Sequence, residues 1–258
     1  DPNVIHVDGS VDPIRDKEII DTELQLKDLD TVLKRIQRVE KQAKTGGDKA
    51  AKRSYDVLSV VKAHLESGKS ARTAPIEKED FDVISDLSLL TVKPVLYVCN
   101  VEEAAVNTGN AYVDRVREAV KDENAEVLII SAQIESEIAQ LESYEERQLF
   151  LEDLGLNESG VAKLIRAAYK LLNLATYFTA GVQEVRAWTI ENGFTAPQAA
   201  GVIHSDFEKG FIRAEVIKYE DFLHYGSEAA VKEAGKLAIE GKTYVVQDGD
   251  IMHFRFNV

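Results

Sequence analysis

Lys93-Pro94-Val95-Leu96-Tyr97-Val98-Cys99 runs directly into Asn100-Val101-Glu102-Glu103. The run is short, apolar and β-branched, which predicts a buried parallel strand. Ligands of open α/β sheets sit just past the carboxyl ends of such strands. An Asn at that point, with an acid three residues on, can present an amide and a carboxylate to the edge of a planar base. N-x-x-E is common by itself, and turns after strands favour Asn in any case, so the surroundings decide. Residues 110–121 place Tyr112, Val113, Val116 and Val120 on one helical face, and 126–130 repeat the apolar strand pattern before Ser131-Ala132. Strand, helix and strand with short connections predict a βαβ unit and a parallel pair. Both strand ends then open on one edge, with Asn100 beside Ser131.

Working outward towards the amino end, residues 16–44 read as helix. Leu26, Leu29, Leu33 and Ile36 step by three or four, with Val39 and Ala43 continuing a coiled-coil-like stripe. Thr45-Gly46-Gly47-Asp48 supplies a glycine stop and an acidic cap for a second helix, whose stripe is Ala51, Leu58, Val61 and Leu65. The two helices predict an antiparallel hairpin that projects as a bare arm. Its tip carries Lys34, Arg35, Arg38, Lys41, Lys44, Lys49, Lys52 and Arg53 against only Glu40 and Asp48, in a chain of net charge −14. Such a cluster suits a phosphate backbone, RNA above all. Residues 67–75 read as a loop and 77–90 as helix. Val4-Ile5-His6-Val7 reads as the end of a strand.

On the carboxyl side, helices are expected at 134–141, 144–151 and 161–172. From residue 173 the texture turns to strands at 176–181, 184–190 and 211–216, with a short helix at Pro197. Tyr244–Val246 and Met252–Phe256 are expected to frame a hairpin turn at 247–250. Hydrophobic residues at 45% and charged residues at 29% suit a globular chain of 258 residues. A single cysteine, Cys99, excludes an internal disulfide and fits a reducing, cytoplasmic setting. No apolar run approaches a membrane span. His64, His204, His224 and His253 lack metal spacing and read as structural.

The order of motifs resembles the YchF/Obg-like ATPase family of translation-factor-class P-loop proteins. It runs Val-Asp-Pro-Ile (11–14), Thr-Glu-Leu-Gln-Leu (22–26), Gly-Gly-Asp-Lys (46–49), Asn-Val-Glu-Glu (100–103) and Ser-Ala (131–132). Tyr-Phe-Thr-Ala-Gly (177–181), Glu-Val-Arg-Ala-Trp-Thr (184–189), Ala-Pro-Gln-Ala-Ala (196–200), His-Ser-Asp-Phe-Glu-Lys-Gly-Phe-Ile (204–212) and Gln-Asp-Gly-Asp (247–250) follow. The resemblance implies an α/β fold with a partial nucleotide-binding domain at 1–22 and 88–172. A helical coiled-coil insertion at 23–87 would interrupt it, and a β-grasp TGS domain would occupy 173–258.

The same resemblance implies ATP and Mg²⁺ as cofactors. It places Asn100, Val101, Glu103, Ser131 and Ala132 around the base, and it suggests a catalytic role for His6. Guanine-specific relatives carry N-K-x-D, where the Asp takes two protons from the base. Val101 and Glu103 break that pattern and imply a preference for ATP over GTP. No G-x-x-x-x-G-K-[ST] occurs in the chain. The phosphate cradle and the Mg²⁺ ligands are therefore expected upstream of Asp1, with no metal ligands here and no hydrolysis by this chain alone. The TGS fold also occurs in threonyl-tRNA synthetases and stringent-response enzymes, so the implied partner is the ribosome or RNA. The alternative is a non-catalytic RNA-binding module made of arm and TGS domain.

Overall fold

The computed structural model describes residues 9–45, 48–123, 125–181 and 184–257. The chain divides into two compact units, Asp1–Ala167 and Ala168–Val258. Val4–Val7, His6 included, and the Gly46-Gly47 turn lie outside the described residues.

The first unit opens with the helical hairpin. Asp12 caps α1 (Pro13–Lys44), its Oδ1 accepting from the Ile14 N–H, while Pro13 fills the first helical position, where no N–H is needed. Asp48 caps α2 (Lys49–Glu66) by accepting from Ala50 and Ala51, both at 3.0 Å. Leu29, Val32, Ile36 and Val39 of α1 share a core with Val57, Leu58, Val61 and Leu65 of α2. Leu26 departs from the expected stripe, being 61% exposed, whereas Gln25 and Asp28 are buried. The hairpin is not bare. Ala71, Ala74, Ile84 and Leu89 of the following segment join its core. The helix expected over 77–90 contracts to a 3-10 turn (Lys78–Phe81) and one helical turn, α3 (Asp82–Ser85). Phe81 and Val83 both pack on the hairpin core, and residues two apart cannot lie on one helix face.

The βαβ unit forms as expected. β1 (Leu96–Asn100) and β2 (Glu126–Ile130) pair in parallel, from Leu96 opposite Glu126 to Asn100 opposite Ile130. The crossover helix α4 (Ala111–Val120) is capped by Asn110 and reached through Gly109 at φ +79°, where a Cβ would lie 3.1 Å from Ile129 Cδ1. Helices α5 (Ala132–Gln140), α6 (Tyr144–Asp153) and α7 (Gly160–Leu171) follow, and Val101, Val113, Ile134, Leu151 and Leu156 form the core beneath. The strands are less buried than expected. Val98 is exposed, because the described sheet has only two strands here.

In the second unit the expected strands form as β3 (Leu174–Ala180) and β4 (Val185–Glu191), which pair antiparallel. They are followed by α8 (Ala196–Ile203), α9 (Ser205–Lys209), β5 (Phe211–Ile217), α10 (Tyr219–Tyr225), α11 (Glu228–Glu233), β6 (Ala238–Glu240) and β7 (Ile251–Phe256). The sheet order is β4-β3-β7-β5-β6. The expected hairpin across 247–250 does not form, since β7 pairs antiparallel with β5 and parallel with β3 instead. Asp250, fully buried, fixes the turn by accepting from Tyr244 Oη and Lys218 Nζ, both at 2.6 Å, and from the Gln247 N–H.

Asp28 explains the polar break in the hairpin stripe. Its carboxylate, 2% exposed, accepts from the Leu90 N–H, the Thr91 N–H and Thr91 Oγ1, each at 2.7 Å. Thr91 Oγ1 in turn accepts from the Ala71 N–H at 2.9 Å. A buried charge is tolerable only when so fully hydrogen-bonded. Asp28→Ala strands the Leu90 and Thr91 N–H groups and Thr91 Oγ1, so we expect a loss of about 3 kcal/mol in urea unfolding. Thr91→Val keeps the Leu90 and Thr91 N–H groups on Asp28 but leaves the Ala71 N–H without its acceptor, so it is expected to cost less than Asp28→Ala, about 1–2 kcal/mol.

Candidate nucleotide-base site and basic hairpin

The parallel register sets the strand ends level, and the turns after them do the rest. The Val101 N–H donates to Ile130 O at 2.9 Å, extending the ladder by one bond. The Asn100 side chain then reaches across, its Oδ1 accepting from the Ala132 N–H at 2.9 Å, the first amide of α5. One amide oxygen thus joins the two loops predicted to flank a base. Asn100 and Ala132 are exposed. Ser131 is 1% exposed, and its Oγ has no partner among the described residues. Glu103, itself exposed, opens a 3-10 turn (Glu103–Ala105) whose last residue, Ala105, is buried. Val101 is 4% exposed and packs into the core under the turn. Its side chain anchors the loop, leaving only its backbone near the edge.

A cavity of about 260 Å³ adjoins Asn100, walled mainly by Val98, Cys99, Tyr112, Val113 and Val116. It shares Asn100 and Val101 with the predicted set, while Glu103, Ser131 and Ala132 lie off it. Burial raises the Cys99 thiol, which suits a wall residue rather than a nucleophile.

Four residues that sequence reasoning missed support β1 from below. Glu123 Oε2 accepts from Arg72 Nη2 at 2.7 Å and Tyr97 Oη at 2.9 Å, and Lys17 Nζ lies 2.7 Å from Oε1. Burial alone would raise the Glu123 carboxyl, but hydrogen bonds from Lys17, Arg72 and Tyr97 outweigh it and hold it below the usual range. Burial opposes the charge on Lys17, yet Asp21 and Glu123 hold its ammonium well above the ordinary lysine value. Arg72 also donates from its backbone N–H to Thr91 O at 3.0 Å, so this cluster continues into the Asp28 bonds. Their spacings in sequence, from Lys17 to Glu123, carry no local signal.

The hairpin bases fall into two groups. Arg35 pairs with Asp86 at 2.6 Å, Arg53 with Asp80 at 2.8 Å and Asp82 at 3.0 Å, Lys34 with Asp30 at 2.7 Å and Lys44 with Glu40 at 2.5 Å. Arg38, Lys41, Lys49 and Lys52 are exposed and have no acidic partner among the described residues. The four histidines read as structural have local roles where bonds exist: His64 meets Thr73, His204 caps α9 and His253 meets Glu228. Among the described residues no group of three or more His, Cys, Asp or Glu could hold a metal ion, and no helix is long and apolar enough to cross a membrane.

"Ribosome-binding ATPase YchF" of Bacillus subtilis (strain 168) is 56% identical over 260 residues, covering 100% of this chain and 70% of that protein. The chain belongs to the YchF family. Residues 174–257 match the family profile YchF-GTPase_C, described as a protein of unknown function (DUF933). "Obg-like ATPase 1" of Gallus gallus is 45% identical to this YchF-family chain over 262 residues, covering all of it and 66% of that protein. A solved structure titled "Structure of the Schizosaccharomyces pombe YchF GTPase" superposes with a TM-score of 0.83 at 36% identity, covering 99% of this chain and 69% of that one. The α/β fold is therefore that of a YchF protein. The names of these relatives differ on the nucleotide, two saying ATPase and one GTPase.

Glu123 has a folded-state carboxyl below its unfolded value, so its stabilisation is present above the ordinary glutamate value near 4.3 and disappears as pH falls through the lower folded value. Lys17, raised, contributes fully below about pH 10.4 and loses its contribution only at higher pH. Unfolding followed against pH should show an acid limb below about pH 4.3, flattened in Glu123→Gln. An unchanged acid limb in that variant would place the acid sensitivity elsewhere.

Proposed function

We propose that this chain carries the base-reading part and the docking elements of a ribosome-associated ATPase, with ATP preferred over GTP. The observation that carries the reading is the Asn100 bridge to the Ala132 N–H at 2.9 Å, which fixes two strand-end loops side by side. The donor set suits an adenine edge, which offers one donor and one acceptor. The exposed Asn100 amide keeps its NH₂ group for the base, and Ser131 Oγ has no partner within the described residues. An unpaired buried hydroxyl is costly, by about 1–3 kcal/mol, unless something engages it. ATP, when bound, would supply the phosphoanhydride that the family's activity cleaves. Asn100, Glu103 and Ser131-Ala132 would orient its base and exclude a guanine grip, and the backbone of Val101 would close the loop under it. Mg²⁺ and the phosphates would be held by residues outside this sequence, which contains no P-loop.

The helical hairpin, read as the coiled-coil insertion at 23–87, and residues 173–258, read as a TGS domain, would dock on the ribosome in the cytoplasm. Relatives named as ribosome-binding support this reading. His6 keeps its proposed catalytic role on the family resemblance alone.

Titrating the chain with ADP and GDP while following amide resonances tests the base reading. ADP should shift Asn100, Ser131 and Ala132 at lower concentration than GDP, and Glu103→Asp should narrow the difference several-fold. A guanine preference in the parent would overturn it.

The docking reading rests on the four unpaired bases. Replacing Arg38, Lys41, Lys49 and Lys52 with Gln should weaken ribosome binding more than about tenfold at moderate salt and flatten its salt dependence by about 0.7–0.9 per contact on a log–log plot. Equal binding by parent and variant in a ribosome pelleting assay would remove the hairpin as the docking face.

A further inference from the structure

The hairpin's basic cluster is opposed by a ledge of the same unit. Residues 77–86 hold Glu77, Glu79, Asp80, Asp82 and Asp86 against one base, Lys78. Arg53 meets three groups there: its Nε donates to Asp80 Oδ1 at 2.8 Å, its Nη2 to Asp82 Oδ1 at 3.0 Å and to Glu79 O at 2.5 Å. Arg35, on the other helix, donates to Asp86 at 2.6 Å. An open groove of about 490 Å³ lies between, lined by Arg35, Lys49, Arg53, Asp82 and Asp86 among others. Three bases on one groove is an arrangement that suits a phosphate, and two aspartates, Asp82 and Asp86, stand where its oxygens would be.

The ledge is fixed rather than loose. Ile84 is buried, and Phe81, Val83 and Leu87 pack on the hairpin core. The acids are thus presented at set positions by apolar anchors. The ion pairs themselves are exposed, with side-chain exposures of 45% for Arg53, 66% for Asp82 and 60% for Asp86, and such pairs add little to stability. Their cost and benefit to folding are both small, while their effect on an incoming polyanion is direct.

We propose that the acidic ledge at 77–86 is an autoinhibitory cover. It occupies Arg35 and Arg53 as a built-in phosphate mimic; with Lys34 and Lys44 paired to Asp30 and Glu40 on their own helix, Arg38, Lys41, Lys49 and Lys52 are left for RNA contact. The proposal rests on the docking reading above and adds its regulation. An RNA phosphate that enters the groove must displace the carboxylates, so RNA binding and the Arg–Asp pairs are mutually exclusive.

The test measures binding of the full chain to fluorescein-labelled double-stranded ribosomal RNA across a range of salt. Asp80→Asn with Asp82→Asn and Asp86→Asn should tighten binding at least about threefold and steepen the log–log salt slope by roughly 1.5, the value of two further contacts. In the parent, Arg35→Gln with Arg53→Gln should cost less than about twofold, because both are already engaged. The same pair in the acid-neutral background should cost more than about fivefold. That dependence separates occupation of the arginines from simple repulsion, for which the two losses would be equal. Should the triple variant fail to fold, the single exposed pair Asp82→Asn and Arg53→Gln gives the same cycle. Equal arginine losses in both backgrounds, or no tightening on acid neutralisation, would overturn the cover while leaving salt-dependent binding through the four free bases intact. Absence of RNA binding by parent and acid-neutral variant alike would overturn the docking reading and the cover with it.

Discussion

The first unit depends on one buried carboxylate. Asp28 sits in the middle of a helix whose neighbours in the stripe are apolar, and it takes three hydrogen bonds from Leu90 and Thr91. A carboxylate in that position would be intolerable alone, because desolvating a charge costs far more than a lost apolar contact. Satisfied as it is, it dictates where the chain returns from the hairpin. Thr91 then fixes Ala71 and Arg72, and Arg72 reaches Glu123, which also holds Lys17 and Tyr97. The hairpin root and the first strand are therefore one polar assembly, and the turn at Asn100 stands at the far end of the strand it supports.

That assembly has a consequence for the site. A two-stranded parallel pair is a weak platform by itself. Here the strand that carries Asn100 is braced on its tyrosine by a charge cluster, and its turn is braced by Val101 in the core and by the Asn100–Ala132 bond. A loop that reads a base needs such support, since a side chain held by packing loses little freedom on binding. The cavity beside Asn100 is lined by Asn100 together with apolar residues such as Val98, Val113 and Val116, whereas Ser131 lies off it.

The hairpin shows a second division. Charge counted along the sequence treats its eight bases alike. The fold places four beside carboxylates and leaves four exposed without one among the described residues. Only the second group is fully available to a polyanion, and the first is available only in exchange for an existing pair.

The sequence by itself determined the local elements and their kind. Helical spacing, Asp48 as a cap, the βαβ order and the strands β3 and β4 were legible, because they follow from periodicity and from backbone groups within a few residues. The start of α1 at Pro13 under the Asp12 cap was not. The juxtaposition of Asn100 with Ser131 was legible too, since parallel register follows from a short crossover. What only the tertiary structure decided was every outcome that depends on partners far apart in the chain. Asp28 with Thr91, Arg53 with Asp80 and Asp82, and Lys17 with Glu123 are separated by 27 to 106 residues. The burial of Val101, the shortened helix at 82–85 and the placement of β7 between β3 and β5 belong with them. In each case the local pattern allowed more than one arrangement, and satisfaction of buried polar groups or packing against a distant surface selected one.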